Sequence, residues 1–211
     1  MIPAAHRGSR SIRILLLSLR WVFLLFGILA IAYCISVFLI SHTFQAVERP
    51  QFDNGPPAPS LPAQNSRPLH PVLFAPGSPI GEIVIPRLAM KDVIIQGVSA
   101  GDLRIAVGHI PGTAFPWDNG NVVLSAHRNT FFLPLRRIRT GDLISLRTRA
   151  GIFSYRVKFT QIVKPTDVAV LNSRGYPTLT LTTCYPFDYI GSAPLRFIVV
   201  AARVSPQNPR A

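Results

Sequence analysis

The chain opens on an apolar block and then changes period. From Trp21 to Ile40 twenty consecutive residues carry no charge, and ILLLSL (14–19) leads into them. About twenty apolar residues at 1.5 Å rise cross a hydrocarbon core roughly 30 Å thick, so a transmembrane helix is predicted over 21–41. A cleaved signal peptide would show an apolar region of about 7–15 residues and a small-residue cleavage site. This run is longer, and SHTFQAVERP (41–50) is a poor cleavage site. Farther along, Phe153, Tyr155, Val157 and Phe159 alternate with Ser154, Arg156, Lys158 and Thr160, the period of a half-buried strand. LISLRTR (143–149) precedes it across Ala150-Gly151 and predicts a hairpin. GEIVIP (81–86), NVVLSAH (121–127, fed by the Asn119-Gly120 turn), TLTLTT (178–183) and RFIVVAARV (196–204) read as further strands. Helical signals are confined to 99–107 and 130–138, about two turns each. The unit is therefore all-β, a small closed or nearly closed barrel, because closure removes exposed strand edges.

Between block and barrel, residues 50–79 carry nine of the twenty prolines and no apolar period. Such a composition favours an extended spacer without a core of its own. The chain divides into a basic N-terminus (1–20), an anchor (21–41), a proline-rich linker (42–79), a catalytic or binding unit (80–205) and a tail (206–211).

Charge refines this picture. The net +13 first suggests nucleic acid or an anionic surface. Residues 1–41 contribute +4 through Arg7, Arg10, Arg13 and Arg20, residues 42–80 are neutral, 81–203 contribute +8, and Arg210 adds one. No segment is a Lys-Arg block, so a nucleic-acid partner is not expected. The arginines before the apolar run place residues 1–20 in the cytoplasm and the rest outside: a single-pass protein held in the cell membrane through 21–41.

Two cysteines exclude a disulfide-dense fold and a four-cysteine zinc site. Cys34 lies within the membrane span and reads as a packing or lipid-facing residue. Cys184 lies outside, ending the 178–183 strand before a turn-rich loop, where a rigid scaffold can present a reactive group. If 178–184 and 196–204 pair antiparallel, Arg196 sits beside Cys184, able to favour a thiolate or to stabilise an oxyanion. His127 ends another strand, but spacing alone does not bring it to the cysteine.

These residues carry a resemblance. TLTTC (180–184) is similar to the TLxTC signature of sortases, the membrane-anchored cysteine transpeptidases. NVVLSAHRNTFFLPLRRIRTGDLI (121–144) resembles their histidine segment, APLRFIVV (193–200) their arginine strand, and GEIVIPRLAMKDVIIQGVS (81–99) their opening strands. CYPFDYIGSAPLRF and GHIPGTAFP (108–116) look most like class D. The resemblance implies a closed eight-stranded barrel with short helices. It makes Cys184 the nucleophile, His127 the general acid/base, Arg196 the oxyanion or substrate stabiliser, and Thr183 a substrate-positioning residue whose other reading is strand propensity.

The implied substrates are LPxTG-like sorting signals, cleaved after Thr through a thioester. The implied acceptor is an amine such as a peptidoglycan precursor, and no cofactor or metal is called for. An ordinary thiol titrates near ~8.5 and an imidazole near ~6.5, so the thiolate–imidazolium pairing this chemistry needs would be scarce at neutral pH without help. His109 reads as structural, His70 as solvated, Thr180 and Thr182 as strand residues, and Arg128 as a surface or supporting residue.

The chain departs from the family at Ala126 (usually Gly), Asn129 (often Asp) and Trp117 (often Gly). The stretch 164–178 offers only Asp167 for a calcium site, and 42–79 lacks the Asp-Pro of a pilin-type lid. The alternative is a membrane-tethered barrel that binds without catalysing.

Overall fold

A computed structural model of the chain describes residues 7–48 and 74–204. Most of the proline-rich linker, with His70, and the tail 206–211 lie outside the described residues. The chain divides into two compact units, 1–42 and 43–211.

Helix α1 (Arg7–Glu48) carries the first. Its span Leu16–Glu48 is long and apolar enough to cross a membrane, and Trp21, Phe26 and Ile31 stand exposed on it. Cys34 is exposed there too. The linker expected from 42 begins later, because nothing in HTFQAVE stops a helix before Pro50, which disfavours helical backbone at the residue preceding it. The helix residues beyond 42 belong to the second unit and pack within it. Phe44 lies against Val93, Ile95 and Ala106. Gln45 donates to the Ile105 carbonyl (2.8 Å) and accepts from the Val93 amide (2.9 Å).

The second unit is a closed barrel of eight strands: β1 (Pro79–Ile85), β2 (Met90–Gln96), β3 (Val107–His109), β4 (Asn121–Ser125), β5 (Leu143–Thr148), β6 (Gly151–Val163), β7 (Thr178–Tyr185) and β8 (Leu195–Arg203). Around the barrel the order is β1-β2-β3-β4-β7-β8-β6-β5. The pairs β2/β3 and β4/β7 are parallel. The helical signal at 99–107 becomes the single turn α2 (Asp102–Ile105) in the β2–β3 crossover, and the one at 130–138 becomes a 3-10 turn, Leu133–Arg137. Further 3-10 turns lie at Pro86–Leu88, between β1 and β2, and at Val168–Leu171, in the β6–β7 connection.

Alternation fills the interior: Ile83, Ile85, Leu124, Leu146, Leu179, Leu181 and Val199 share one core. The β5–β6 hairpin forms as expected, with Thr148 opposite Gly151. Phe153, Tyr155 and Val157 point inward, but Phe159 does not. A bulge between Val157 and Phe159 inserts a residue and reverses the faces of everything beyond it. Phe159 is thus 40% exposed, with the Arg174 guanidinium 5.7 Å from its ring centre. At Gly108 a Cβ would stand 2.3 Å from the Gly97 carbonyl, so the close approach of β3 to the backbone after β2 requires glycine.

Candidate active site

Parallel pairing of β4 and β7 builds the site. Its register ends with Ser125 beside Thr182, so His127 and Cys184, each two residues farther on, emerge at the same end of the barrel. Antiparallel pairing of β7 and β8 sets Cys184 directly opposite Arg196. Partners so placed have Cα atoms about 4.5–5.5 Å apart. His127, Cys184 and Arg196 line one cleft of about 320 Å³, within the range of small-ligand sites. Ile110, Val168, Leu171 and Ile198 line the same cleft, along with Lys164 and Asp167. Arg196 donates from Nη1 to the carbonyls of Leu195 (3.0 Å) and Ala193 (3.4 Å), which fixes the guanidinium at the start of β8.

Thr183 borders the same cleft as Cys184, but its side chain turns to the opposite face of the strand. Successive residues of a strand face opposite ways, and Thr183 follows Leu179 and Leu181 inward while Cys184 follows Thr182. Its side chain is 2% exposed, and its hydroxyl donates to the Ala126 carbonyl at 2.7 Å. That bond ties the residue before His127 to the residue before Cys184. Ala126, where the resemblance implies glycine, is buried in the core.

The site also has a support that sequence reading passed over. Asn121 is buried. It donates to the carbonyls of Leu171 (3.0 Å) and Val170 (3.3 Å) and accepts from the hydroxyls of Thr178 (3.0 Å) and Thr180 (2.9 Å). Both donors and both acceptor sites of the amide are used, and the cleft wall is pinned to β4 and β7. Thr180, read as a plain strand residue, belongs to this hub. The only sequence signal was a polar residue opening the apolar run after Asn119-Gly120.

His109 stands elsewhere. It is 1% exposed and is not among the cleft-lining residues. Its ring nitrogens lie 2.8 Å from Gln96 Oε1 and 3.0 Å from the Ala114 carbonyl, and its ring stacks on Phe115 at 4.7 Å. Burial pushes its pKa down, opposed by the Ala114 carbonyl and by Asp118. Trp117 stacks on Phe115 in turn (5.1 Å). Among the described residues no three His, Cys, Asp or Glu side chains gather as a metal site.

Residues 83–204 match the family described as the sortase domain. The chain is a member of the sortase family. It is 34% identical over 161 residues to Sortase D of Bacillus subtilis, covering 76% of this chain and 80% of that protein. Among solved structures, a Clostridium perfringens Sortase D5 transpeptidase superposes with a TM-score of 0.57 at 29% identity, covering 63% of this chain and 82% of that one. Sortase E1 of Streptomyces coelicolor, solved with a tripeptide in its active site, gives 0.56 at 30% identity, covering 63% and 91%. Sortases are cysteine transpeptidases, and this sortase resembles class D in both sequence and barrel.

Proposed function

We propose that this sortase is held in the cell membrane by α1, N-terminus inside, and that its barrel cleaves LPxTG-like sorting signals outside and passes the product to an envelope amine. The observation that carries the reading is the convergence of Cys184, His127 and Arg196 on one cleft that apolar side chains also line. The Cys184 thiolate attacks the threonine carbonyl carbon, and the oxyanion so formed faces the Arg196 guanidinium. His127, as imidazolium, gives its proton to the departing glycine amine as the C–N bond breaks, leaving an acyl thioester. An incoming amine loses a proton to His127 and attacks the thioester. The thiolate leaves and a new amide remains. Membrane attachment keeps the barrel near secreted substrates.

Full-length protein in detergent micelles, given an LPxTG peptide and an amine such as triglycine, should release the Gly-containing fragment and form the ligated product. Cys184→Ala should lose all turnover and all acyl-enzyme by mass spectrometry. Full activity in that variant would remove Cys184 from the chemistry. A wild-type protein that binds the peptide without turning it over would make this a binding module.

A further inference from the structure

We infer that Arg128 is a positioning residue for the reaction: it clasps the β7–β8 loop to the segment that carries His127. The inference rests on the sortase reading above and adds to it a residue that touches none of the reacting atoms. Arg128 Nη2 donates to the carbonyls of Tyr189 (2.7 Å) and Gly191 (3.0 Å). For both carbonyls to turn toward one nitrogen the loop must bend between them, and Gly191 supplies the bend at φ +93°. Apolar packing does not hold this tip, since Ile190 is 96% exposed and Tyr189 is also exposed. The base of the loop is anchored instead by Phe187, packed against Phe197 at 5.4 Å.

Position gives the clasp its consequence. Cys184 is the last residue but one of the strand that enters the loop, and Arg196 is the second residue of the strand that leaves it. Arg128 is covalently next to His127. The β4/β7 ladder ends at Ser125 and Thr182, and the Ala126 amide and carbonyl add one bond each to β7. Beyond that, Arg128 links the His127 segment to the loop between the other two residues. A guanidinium on backbone carbonyls makes charge-assisted bonds, here in an exposed setting where solvent weakens them; holding two carbonyls at once is what restrains the loop. The nearby Arg136–Asp188 pair (3.0 Å) reaches the same loop, but both side chains are exposed, and such pairs contribute little.

The test uses the full-length chain in detergent, in a Cys34→Ser background so that one thiol reports. Arg128→Ala and Arg128→Lys are compared with Arg156→Ala, whose guanidinium bonds the Gly141 carbonyl away from the site. In Arg128→Ala, hydrogen exchange at the 188–192 amides should accelerate. Its kcat should fall about tenfold, since misplacement remote from the chemistry is enough to cost that, while KM stays within about twofold. The pH profile of Cys184 alkylation by iodoacetamide should shift, because the slack loop ends on Arg196. Lysine should restore part of each effect, and Arg156→Ala should show none. Unchanged loop exchange overturns the inference, as does faster exchange with an unaltered alkylation profile and kcat. If the wild type turns over no peptide, the functional reading fails while exchange and alkylation still decide the clasp.

Discussion

Thr183 shows how one side chain's direction decides its duty. Read in line, TLTTC sets a hydroxyl next to the thiol, and either substrate contact or strand propensity accounts for it. The pleat turns that hydroxyl into the barrel, where it holds the Ala126 carbonyl. Thr183→Val keeps the shape and removes the O–H, which should cost about 1 kcal/mol of stability. Through a misplaced His127 it should also lower kcat about tenfold. Thr183→Ser should stay near wild type in peptide turnover, and equal loss in both variants would count against this role. The candidate nucleophile and arginine were legible from residue type and strand-end position, and the candidate acid/base through the family resemblance. The bond from Thr183 was not, because its partner is 57 residues away.

At the scale of elements, hairpins were the readable part. β5 and β6 are joined by a tight turn, so their pairing follows from local pattern and turn chemistry. The parallel β4/β7 pair joins segments that no local signal connects, yet it brings His127 to Cys184. The Lys158 bulge was likewise invisible, since the apolar alternation runs through Phe159 without a break while the register changes beneath it. Asn121 ties β4 to β7 and to the 168–171 wall. Asn121→Ala should therefore destabilise the barrel by about 2–3 kcal/mol in urea titration, and it should raise KM more than it lowers kcat. A stability loss with unchanged KM would detach the wall from substrate binding.

For the whole molecule, His109 and Asp142 are two groups that make stability depend on pH. Burial lowers the His109 pKa, so below the ordinary imidazole value near ~6.5 the unfolded chain takes up a proton that the folded one refuses, and stability falls as pH drops through this region. Asp142 acts lower down. Its carboxylate is held by Arg87 through bonds of 2.5 and 2.6 Å, which depress its pKa against the desolvation of burial. The stability it contributes is present above the ordinary carboxylate range and is lost as pH falls through and below it. Urea midpoints measured from pH 8 to 3 should decline in two steps, and His109→Gln should flatten the upper one; an unchanged upper step would assign it to another group. The sequence by itself determined the apolar span, the β character of the unit beyond it, and a cysteine and an arginine at the ends of two strands, because period, length and turn residues are local properties of a chain. Tertiary structure alone decided that β4 runs parallel to β7, that Thr183 faces the core, and that Asn121 and Arg128 brace the cleft, because those outcomes depend on barrel closure and on which distant backbone groups it brings within hydrogen-bond reach.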